Sequence, residues 1–278
     1  MKKITKLFPA VVIGLSLLVL NVCTDITEEN SENPYKGQTL TVKGQQVWQR
    51  NSKATKVSQA YIPYNEEHEI EVFVEALDDT FSGKKEVVGS GDIKNDYLTF
   101  STNIIDDDKL LEWKYEIEYN NETYKFNGWN SFFREWPDAD ISDKNIKGNM
   151  LLLDAYSSDD HKGMLDRQKI TGTASTITCE TVLYIYVTGD CRITGTSNSG
   201  YTPGQYYYNT KGNLNLSLKK GLNLICRSET YGTNFSGSAV ISMEVKNPLR
   251  NPENYKWVIE PGFGIKGIHF SVLNLRRN

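Results

Sequence analysis

Alternation of apolar and polar side chains is the sequence feature that most limits what this chain can fold into. In Trp113–Tyr119, aromatic or aliphatic residues occupy every second position and charged residues lie between them. Glu69–Leu77 repeats the pattern, with Ile70, Val72 and Val74 in the apolar set. A period of two places one set of side chains on one face of a strand. Because no segment beyond the N-terminal region keeps a 3.6-residue period, the sequence predicts an all-β fold with few, short helices.

The same alternation of apolar and polar residues predicts strands along the rest of the chain. They cover Leu40–Trp48, Tyr97–Thr102, Thr123–Asn127, Met150–Ala155, Ile170–Thr178, Val182–Val187, Arg192–Thr196, Leu214–Leu218, Leu222–Arg227, Ala239–Val245, Lys256–Glu260 and Gly267–Leu275. These segments are rich in Thr, Val, Ile and Tyr, and turn-forming residues separate them. Lys219–Gly221 lies between two clear alternating runs, which predicts that Leu214–Leu218 and Leu222–Arg227 form a hairpin.

A cluster of Pro, Asp, Ser and Gly residues predicts a domain boundary. It lies between Gly128 and Asn149, where the alternation of apolar and polar residues lapses. We therefore predict two β-sandwich-like domains, at 37–128 and 149–278, joined by a linker at 129–148.

The N-terminus has the layout of a secretory signal. Met1–Lys6 is basic and Leu7–Leu20 is apolar. The apolar run is shorter than the roughly 20 residues that span a bilayer, and acidic residues follow it. It does not end in the small-x-small pattern of ordinary signal cleavage. Instead, Leu20 stands three residues before Cys23.

Leu20 and Cys23 resemble the lipobox of bacterial lipoproteins, and Asn21 and Val22 make the pattern similar to its relaxed form in spirochaete lipoproteins. The resemblance implies that residues 1–22 are removed and that Cys23 is acylated. The protein would then be exported and anchored to the cell envelope, at the outer membrane or cell surface. Each buried methylene would contribute about 0.8 kcal/mol, so several acyl chains hold stably. The alternative is a Cys that merely lies near the end of a signal peptide.

The segment 23–36 is predicted to be an acidic, flexible tether. It has few sizeable apolar side chains, so burial cannot offset the entropy lost on ordering. The remainder of the chain resembles β-rich surface lipoproteins of spirochaetes that have no assigned activity. That resemblance carries over no functional residues.

The charge balance argues against nucleic acid as a partner. The 278 residues contain 31 Lys and Arg against 35 Asp and Glu, a formal net charge of −4. Removal of the signal takes away Lys2, Lys3 and Lys6, which lowers the formal charge by three, to −7. Such a chain offers no broad positive field to a phosphate backbone.

Three cysteines remain after Cys23, namely Cys179, Cys191 and Cys226. In an exported protein this odd number predicts one disulfide and one free thiol, with all three pairings open. No local signature places a histidine beside any of them, so we do not predict a catalytic cysteine.

Other motifs point to turns and loops. The segment Gly262–Gly267 matches G-x-G-x-x-G, but strand-like residues follow it, so a turn is preferred to a dinucleotide site. Acidic clusters at Asp106–Asp108, Asp138–Asp143 and Asp159–His161 are read as solvated loops, with calcium binding as the alternative. No zinc-ligand spacing, nucleophile elbow or P-loop occurs. We predict no metal and no cofactor.

Two aromatic clusters are the candidate ligand-binding residues. They comprise Trp129, Phe132 and Trp136 in the predicted linker, and Tyr206, Tyr207 and Tyr208. Rings exposed on a β scaffold often recognise proteins or sugars. The alternative role is apolar cover at the interface between the two halves.

The sequence therefore predicts a lipid-anchored, exported binding or interaction module with a protein or glycan ligand, and not an enzyme. Two alternatives stay open. One is a carbohydrate- or small-ligand-binding protein that uses the exposed aromatic residues. The other is a hydrolase whose carboxylates are paired only in space.

Overall fold

The computed structural model describes residues 39–51, 54, 56–76, 84–103, 105–119, 122–129, 132–133, 136, 138–157, 160–172, 176–201, 208–233, 239–246 and 254–261. Within these residues the chain forms sixteen strands and two 3-10 turns, without an α-helix. The predicted all-β fold is confirmed. This part of the chain contains no helix that is long and apolar enough to cross a bilayer.

The strands and the two 3-10 turns have the following bounds. The first half contains β1 Thr41–Arg50, β2 Tyr61–Pro63, β3 His68–Ala76, β4 Lys84–Lys94, β5 Tyr97–Thr102, β6 Lys114–Tyr119 and β7 Glu122–Asn127, with 3-10 turns at Val57–Gln59 and Asp107–Lys109. The second half contains β8 Asp140–Ile141, β9 Gly148–Ser157, β10 Asp160–Gly172, β11 Thr176–Val187, β12 Cys191–Tyr201, β13 Tyr208–Leu218, β14 Gly221–Thr233, β15 Ala239–Lys246 and β16 Lys256–Pro261.

Seven strands form a closed ring in the order β10, β16, β1, β5, β4, β3, β9 and back to β10. Only the β1–β16 pair in this ring is parallel. The pairing of β9 with β10 that closes the ring extends from Ser157 and Asp160 to Asp154 and Met164. Strand β16 comes from the C-terminal part of the chain and β1 from the N-terminal part. The ring therefore crosses the boundary predicted between 37–128 and 149–278.

A second set of strands extends from this ring. β11 pairs with β10 over Arg167–Gly172 and with β9 over Gly148–Leu151, so it joins both strands after they have separated. From β11 the sheet continues through β14, β15, β13, β12 and β8. The hairpin of β6 and β7 pairs separately.

Two apolar cores lie on opposite faces of β11. Val182 and Tyr184 belong to the first core, which gathers buried side chains from all seven ring strands. Ile185 and Val187 belong to the second core, which β9 and β12 to β15 share with residues 111–146. The separation by odd and even position is the two-residue period of a strand.

The described apolar residues of the segment 129–148 belong to the second core. Trp129 is fully buried and donates a hydrogen bond from its indole Nε1 to the carbonyl of Ile146 at 3.1 Å. A Cβ at Gly148 would lie 2.7 Å from the Trp129 ring, so the close approach of this indole requires glycine there. The segment packs as core, and the prediction that it is a linker between separate sandwich-like domains does not match the packing or the strand pairing.

The predicted hairpin around Lys219–Gly221 is wrong. β15 lies between β13 and β14, parallel to the first and antiparallel to the second. Asn223 stabilises the turn that connects β13 with β14. Its side-chain amide donates to the carbonyl of Lys219 at 2.7 Å and accepts from the backbone N–H of Lys219 at 2.9 Å. Alternation in two neighbouring segments identified the strands but could not show that a third strand, 18 residues later in sequence than Gly221, separates them.

Candidate functional site

The aromatic residues predicted to bind ligand near the middle of the chain lie in the second core. Trp129 and Trp136 are fully buried, and Phe132 is 3% exposed. Trp129 packs edge-on against Trp113 and Phe133, with ring centroids 5.1 and 5.5 Å apart. These rings present no face to the surface, so the prediction that they bind a ligand is wrong. They serve as apolar cover, and the surface they cover is the second part of the sheet.

Other predicted residues lie outside the described part of the chain. They are Cys23, Tyr206, Tyr207 and the glycine motif Gly262–Gly267. Tyr208 begins β13, and its side chain is not described. The lipid anchor and the tyrosine cluster stay predictions.

Cys179, Cys191 and Cys226 are all buried and none of them is in a disulfide, so the predicted disulfide is wrong. Cys226 lies opposite Val182 on the neighbouring strand, three positions from Cys179. An odd separation puts the two sulfur atoms on opposite faces of the sheet. Burial raises the pKa of Cys179, and it raises the pKa of Cys191 to about 12.

An open groove of about 640 Å³ lies on the exposed face of the second part of the sheet. Leu214 and Val245 border it, and their side chains point away from it into the second core on the other face of the sheet. The exposed polar residues that line it are Asp138, Asp140, Thr194, Thr196, Asn213, Asn215 and Glu244. The groove is open to solvent and has room for a small ligand.

Strand register arranges these side chains in two rows. Thr196 lies opposite Asn213, which lies opposite Glu244 on β15. Thr194 lies opposite Asn215 in the next row of the same face. Because directly opposed residues share a face, the alternation of polar and apolar residues in β12 and β13 produces the polar surface.

One wall of the groove is fixed by Asp138. Thr196 donates to this carboxylate from its backbone N–H at 2.9 Å and from its hydroxyl at 2.5 Å. The hydroxyl hydrogen bond lowers the pKa of Asp138. A Cβ at Gly195 would lie 2.9 Å from the Cα of Ala139, so glycine lets the wall approach β12 closely.

The lining of the groove is acidic and rich in amides. Asp138, Asp140 and Glu244 supply carboxylates, and no Lys or Arg is among the residues that line it. Within the described residues, no group of three or more His, Cys, Asp or Glu side chains is arranged to hold a metal ion. The groove can therefore accept hydrogen bonds at several points and donate them from amides and hydroxyls.

A second polar feature is a buried network around Arg50, on the face of the ring opposite the first core. The Arg50 Nε forms an ion pair with Glu260, and its Nη2 donates to the Oε1 of Gln168 at 2.7 Å and to the Sγ of Cys179 at 3.5 Å. The Arg50 and Glu260 side chains are 7% and 17% exposed. The network ties β1, β10, β11 and β16 together.

Arg227 and Glu229 extend this face on β14. Arg227 donates to one oxygen of Glu229 from Nε at 3.0 Å and from Nη2 at 2.6 Å. Between the two arginines lies Asp166, whose pKa burial raises to about 6, assisted by the negative charge of Glu260. Hydrogen bonding from Gln168 opposes this shift. Every charge in the network except that of Asp166 has an opposite charge in direct contact, as a structural role requires.

A third cluster surrounds Asp154, which is 1% exposed. Its carboxylate forms an ion pair with Lys85, lies 3.3 Å from the Nε2 of His161 and accepts a hydrogen bond from Tyr156 at 3.3 Å. An aspartate beside a histidine resembles two parts of a catalytic triad. Within the described residues no hydroxyl or thiol hydrogen-bonds to His161, so the third part is not supplied.

We compared the chain with protein family models, curated proteins and solved structures. No protein family model, no curated protein and no solved structure matches the chain.

Of the polar residues of the groove, only Asp138 and Asp140 stand out in the sequence, as part of an acidic cluster, and nothing there connects them with β12, β13 or β15. A signal existed in β13, where Asn213, Asn215 and Ser217 alternate with three leucines. That pattern indicates an exposed polar face, but it cannot show which strands lie beside it. The contribution of Glu244 depends on the insertion of β15, which sequence reasoning placed elsewhere.

Proposed function

We propose that this chain is an exported, lipid-anchored binding module that takes a small, hydroxyl-rich ligand in the groove between Asp138 and Glu244. The observation that carries the binding proposal is the groove itself, about 640 Å³ in volume and lined by exposed polar side chains. The anchor is proposed from the signal-like N-terminus and from Leu20 and Cys23.

A saccharide suits this surface because each of its hydroxyl groups both donates and accepts a hydrogen bond. Asn213 and Asn215 can do both through their amides, and the carboxylate of Glu244 accepts. Among the described lining residues three carry carboxylates and none is a lysine or an arginine, which makes an anionic ligand unfavourable. This proposal keeps the glycan-binding alternative but moves it from aromatic rings to amides and carboxylates.

Hydrolysis is not included in the proposal. A glycosidase needs a carboxylic acid with a raised pKa to protonate the leaving group. In the groove, the pKa of Asp138 is lowered instead, because Thr196 donates hydrogen bonds to it.

A glycan array with the full-length protein tests the binding site. Asn213→Ala and Glu244→Gln should each weaken binding of a captured glycan by about tenfold, the loss expected from one hydrogen bond with an unsatisfied partner. Ser242→Ala is the matched control, since Ser242 is exposed on β15 but does not line the groove. Binding that is equal in all three variants and the parent would overturn the site.

The anchor needs a separate experiment. In a bacterial host, Cys23→Ala should abolish incorporation of labelled palmitate and move the protein from the detergent phase to the aqueous phase. Unchanged detergent partitioning of Cys23→Ala would contradict the anchor without bearing on the groove.

A further inference from the structure

Arg167 is a nearly buried cation at the point where three strands meet. It is the first residue of β10 that pairs with β11, after β9 has separated from β10. Its direct neighbours in register are Val182 on β11 and Trp257 on β16. Its side chain is on the same face as the first core, and the residue is 6% exposed.

The neighbours of Arg167 are apolar and aromatic. Its guanidinium carbon lies 5.6 Å from the centroid of the Trp257 ring. Tyr184 stacks on the same indole, with centroids 6.2 Å apart and planes 2° from parallel. Leu165 and Ile259, at 2% and 3% exposure, belong to the same core.

Two buried donors at this point have no acceptor. Within the described part of the chain, neither the Nε of Arg167 nor the indole Nε1 of Trp257 makes a hydrogen bond. Among the described residues, no carboxylate lies within ion-pair distance of Arg167. Buried N–H groups are nearly always hydrogen-bonded, and a buried guanidinium is nearly always paired, so the two together call for an oxygen-bearing partner.

We propose that Arg167 and Trp257 form a binding site for a carboxylate ligand. A guanidinium presents its N–H groups in a planar fork that matches a carboxylate, and an indole donates one further hydrogen bond. The site is distinct from the proposed glycan groove, because β11, β14 and β15 lie between β10 and β13 in the sheet.

The charge of the site favours a singly charged anion over a phosphate dianion. Arg167 brings one positive charge into an apolar setting. The nearest further cation on its strand face is Lys169, which lies over the ring of Tyr255, 5.6 Å from its centroid. Glu180 accepts a hydrogen bond from the Tyr255 hydroxyl at 2.7 Å and places a negative charge beside that ring. A second negative charge on the ligand would thus be poorly balanced.

Nuclear magnetic resonance of the full chain provides the most direct test. Benzoate and acetate are the carboxylate probes and inorganic phosphate is the comparison. The indole N–H signal of Trp257, assigned by its loss in Trp257→Phe, should shift on addition of either carboxylate. The indole signal of Trp129 should stay in place, because that N–H already donates to the carbonyl of Ile146.

Variants then separate binding from folding. Arg167→Met should raise the Kd for benzoate by about tenfold or more, whereas Arg167→Lys should retain part of the affinity. Arg192→Met is the matched control, since Arg192 is exposed and distant in the strand order. A Trp257 signal unmoved by both carboxylates overturns the site, and so does a Kd unchanged in Arg167→Met. Tighter binding of phosphate than of benzoate and acetate overturns the carboxylate class. If Arg167→Met does not fold, the wild-type titration and Arg167→Lys still decide the question.

Discussion

Arg50 and Arg167 make an instructive pair. Both are more than nine-tenths buried, and both belong to strands of the same ring. Arg50 contacts a carboxylate, an amide oxygen and a thiol. Arg167 contacts the face of Trp257, and its Nε donates to nothing. The two arginine side chains are therefore both largely buried, but they differ in their hydrogen bonding.

The difference teaches how to separate a structural charge from a binding charge. Burial of an ion costs several kcal/mol, and a fixed partner with good geometry offsets that cost within the folded chain. Glu260 and Gln168 offset the cost of burying Arg50, so this arginine needs no ligand to be stable in the folded chain. Around Arg167 the described chain supplies only an aromatic face, which compensates less. The comparison fails if the two arginines respond alike to substitution.

The largest effect is expected from removal of the carboxylate that pairs with Arg50. Glu260→Ala should lower the free energy of unfolding by about 3 kcal/mol, the lower end of the range for a broken buried pair, because Glu260 keeps some exposure. Urea unfolding followed by circular dichroism measures the change. Asp92→Ala breaks an exposed pair with Lys94 and should cost less than about 1 kcal/mol. Equal losses in the two variants would show that the Arg50 network is no more than a surface pair.

The next effect concerns the half-buried Asp166 beside this network. Burial raises the pKa of Asp166 to about 6, above its value in the unfolded chain. The folded state therefore binds this proton more tightly, and the contribution of Asp166 to stability is present below about pH 4 and lost as the pH rises through 6.

Asp166→Asn should accordingly stabilise the protein at pH 7 by on the order of 2 kcal/mol, with the gain vanishing near pH 4. Urea unfolding of both proteins at intervals between pH 4 and pH 8 measures this. The control is Asp107→Asn on an exposed 3-10 turn, which should run parallel to the parent. A curve for Asp166→Asn that also runs parallel to the parent would contradict the raised pKa.

Local alternation was sufficient to place many strands. β5 occupies the predicted residues Tyr97–Thr102, and its burial alternates at every position. β4 was missed because Gly89 and Gly91 interrupt its pattern. A Cβ at these positions would lie 2.4 Å from the carbonyl oxygen of Ser101 and 2.1 Å from that of Thr99. The glycines reflect a close approach of β5, which is a tertiary requirement that no local pattern contains.

The candidate sites depend on contacts that are distant in sequence. Arg50 and Gln168 are 118 positions apart in the sequence. Asp138 and Thr196, which are hydrogen-bonded in the groove, are 58 positions apart. Sequence reasoning could recognise polar residues on an exposed strand face. It could not tell that Arg50 has a carboxylate partner and that Arg167 lacks one, since both lie outside the predicted strands and the partner of Arg50 comes from β16, 210 positions away.

The smallest effect on stability is expected at Arg167 itself. Arg167→Met keeps an unbranched side chain over Trp257 and removes no hydrogen bond, so in buffer free of carboxylates the loss should be about 1 kcal/mol or less. Addition of benzoate at ten times the parent's Kd should then stabilise the parent by about 1.4 kcal/mol and Arg167→Met by about 0.4 kcal/mol or less, because a ligand stabilises only the state that binds it. Urea unfolding with and without benzoate measures both quantities. A loss in Arg167→Met as large as that in Glu260→Ala would mean that Arg167 is held by the fold in the same way as Arg50, and the distinction between a structural and a binding arginine would disappear.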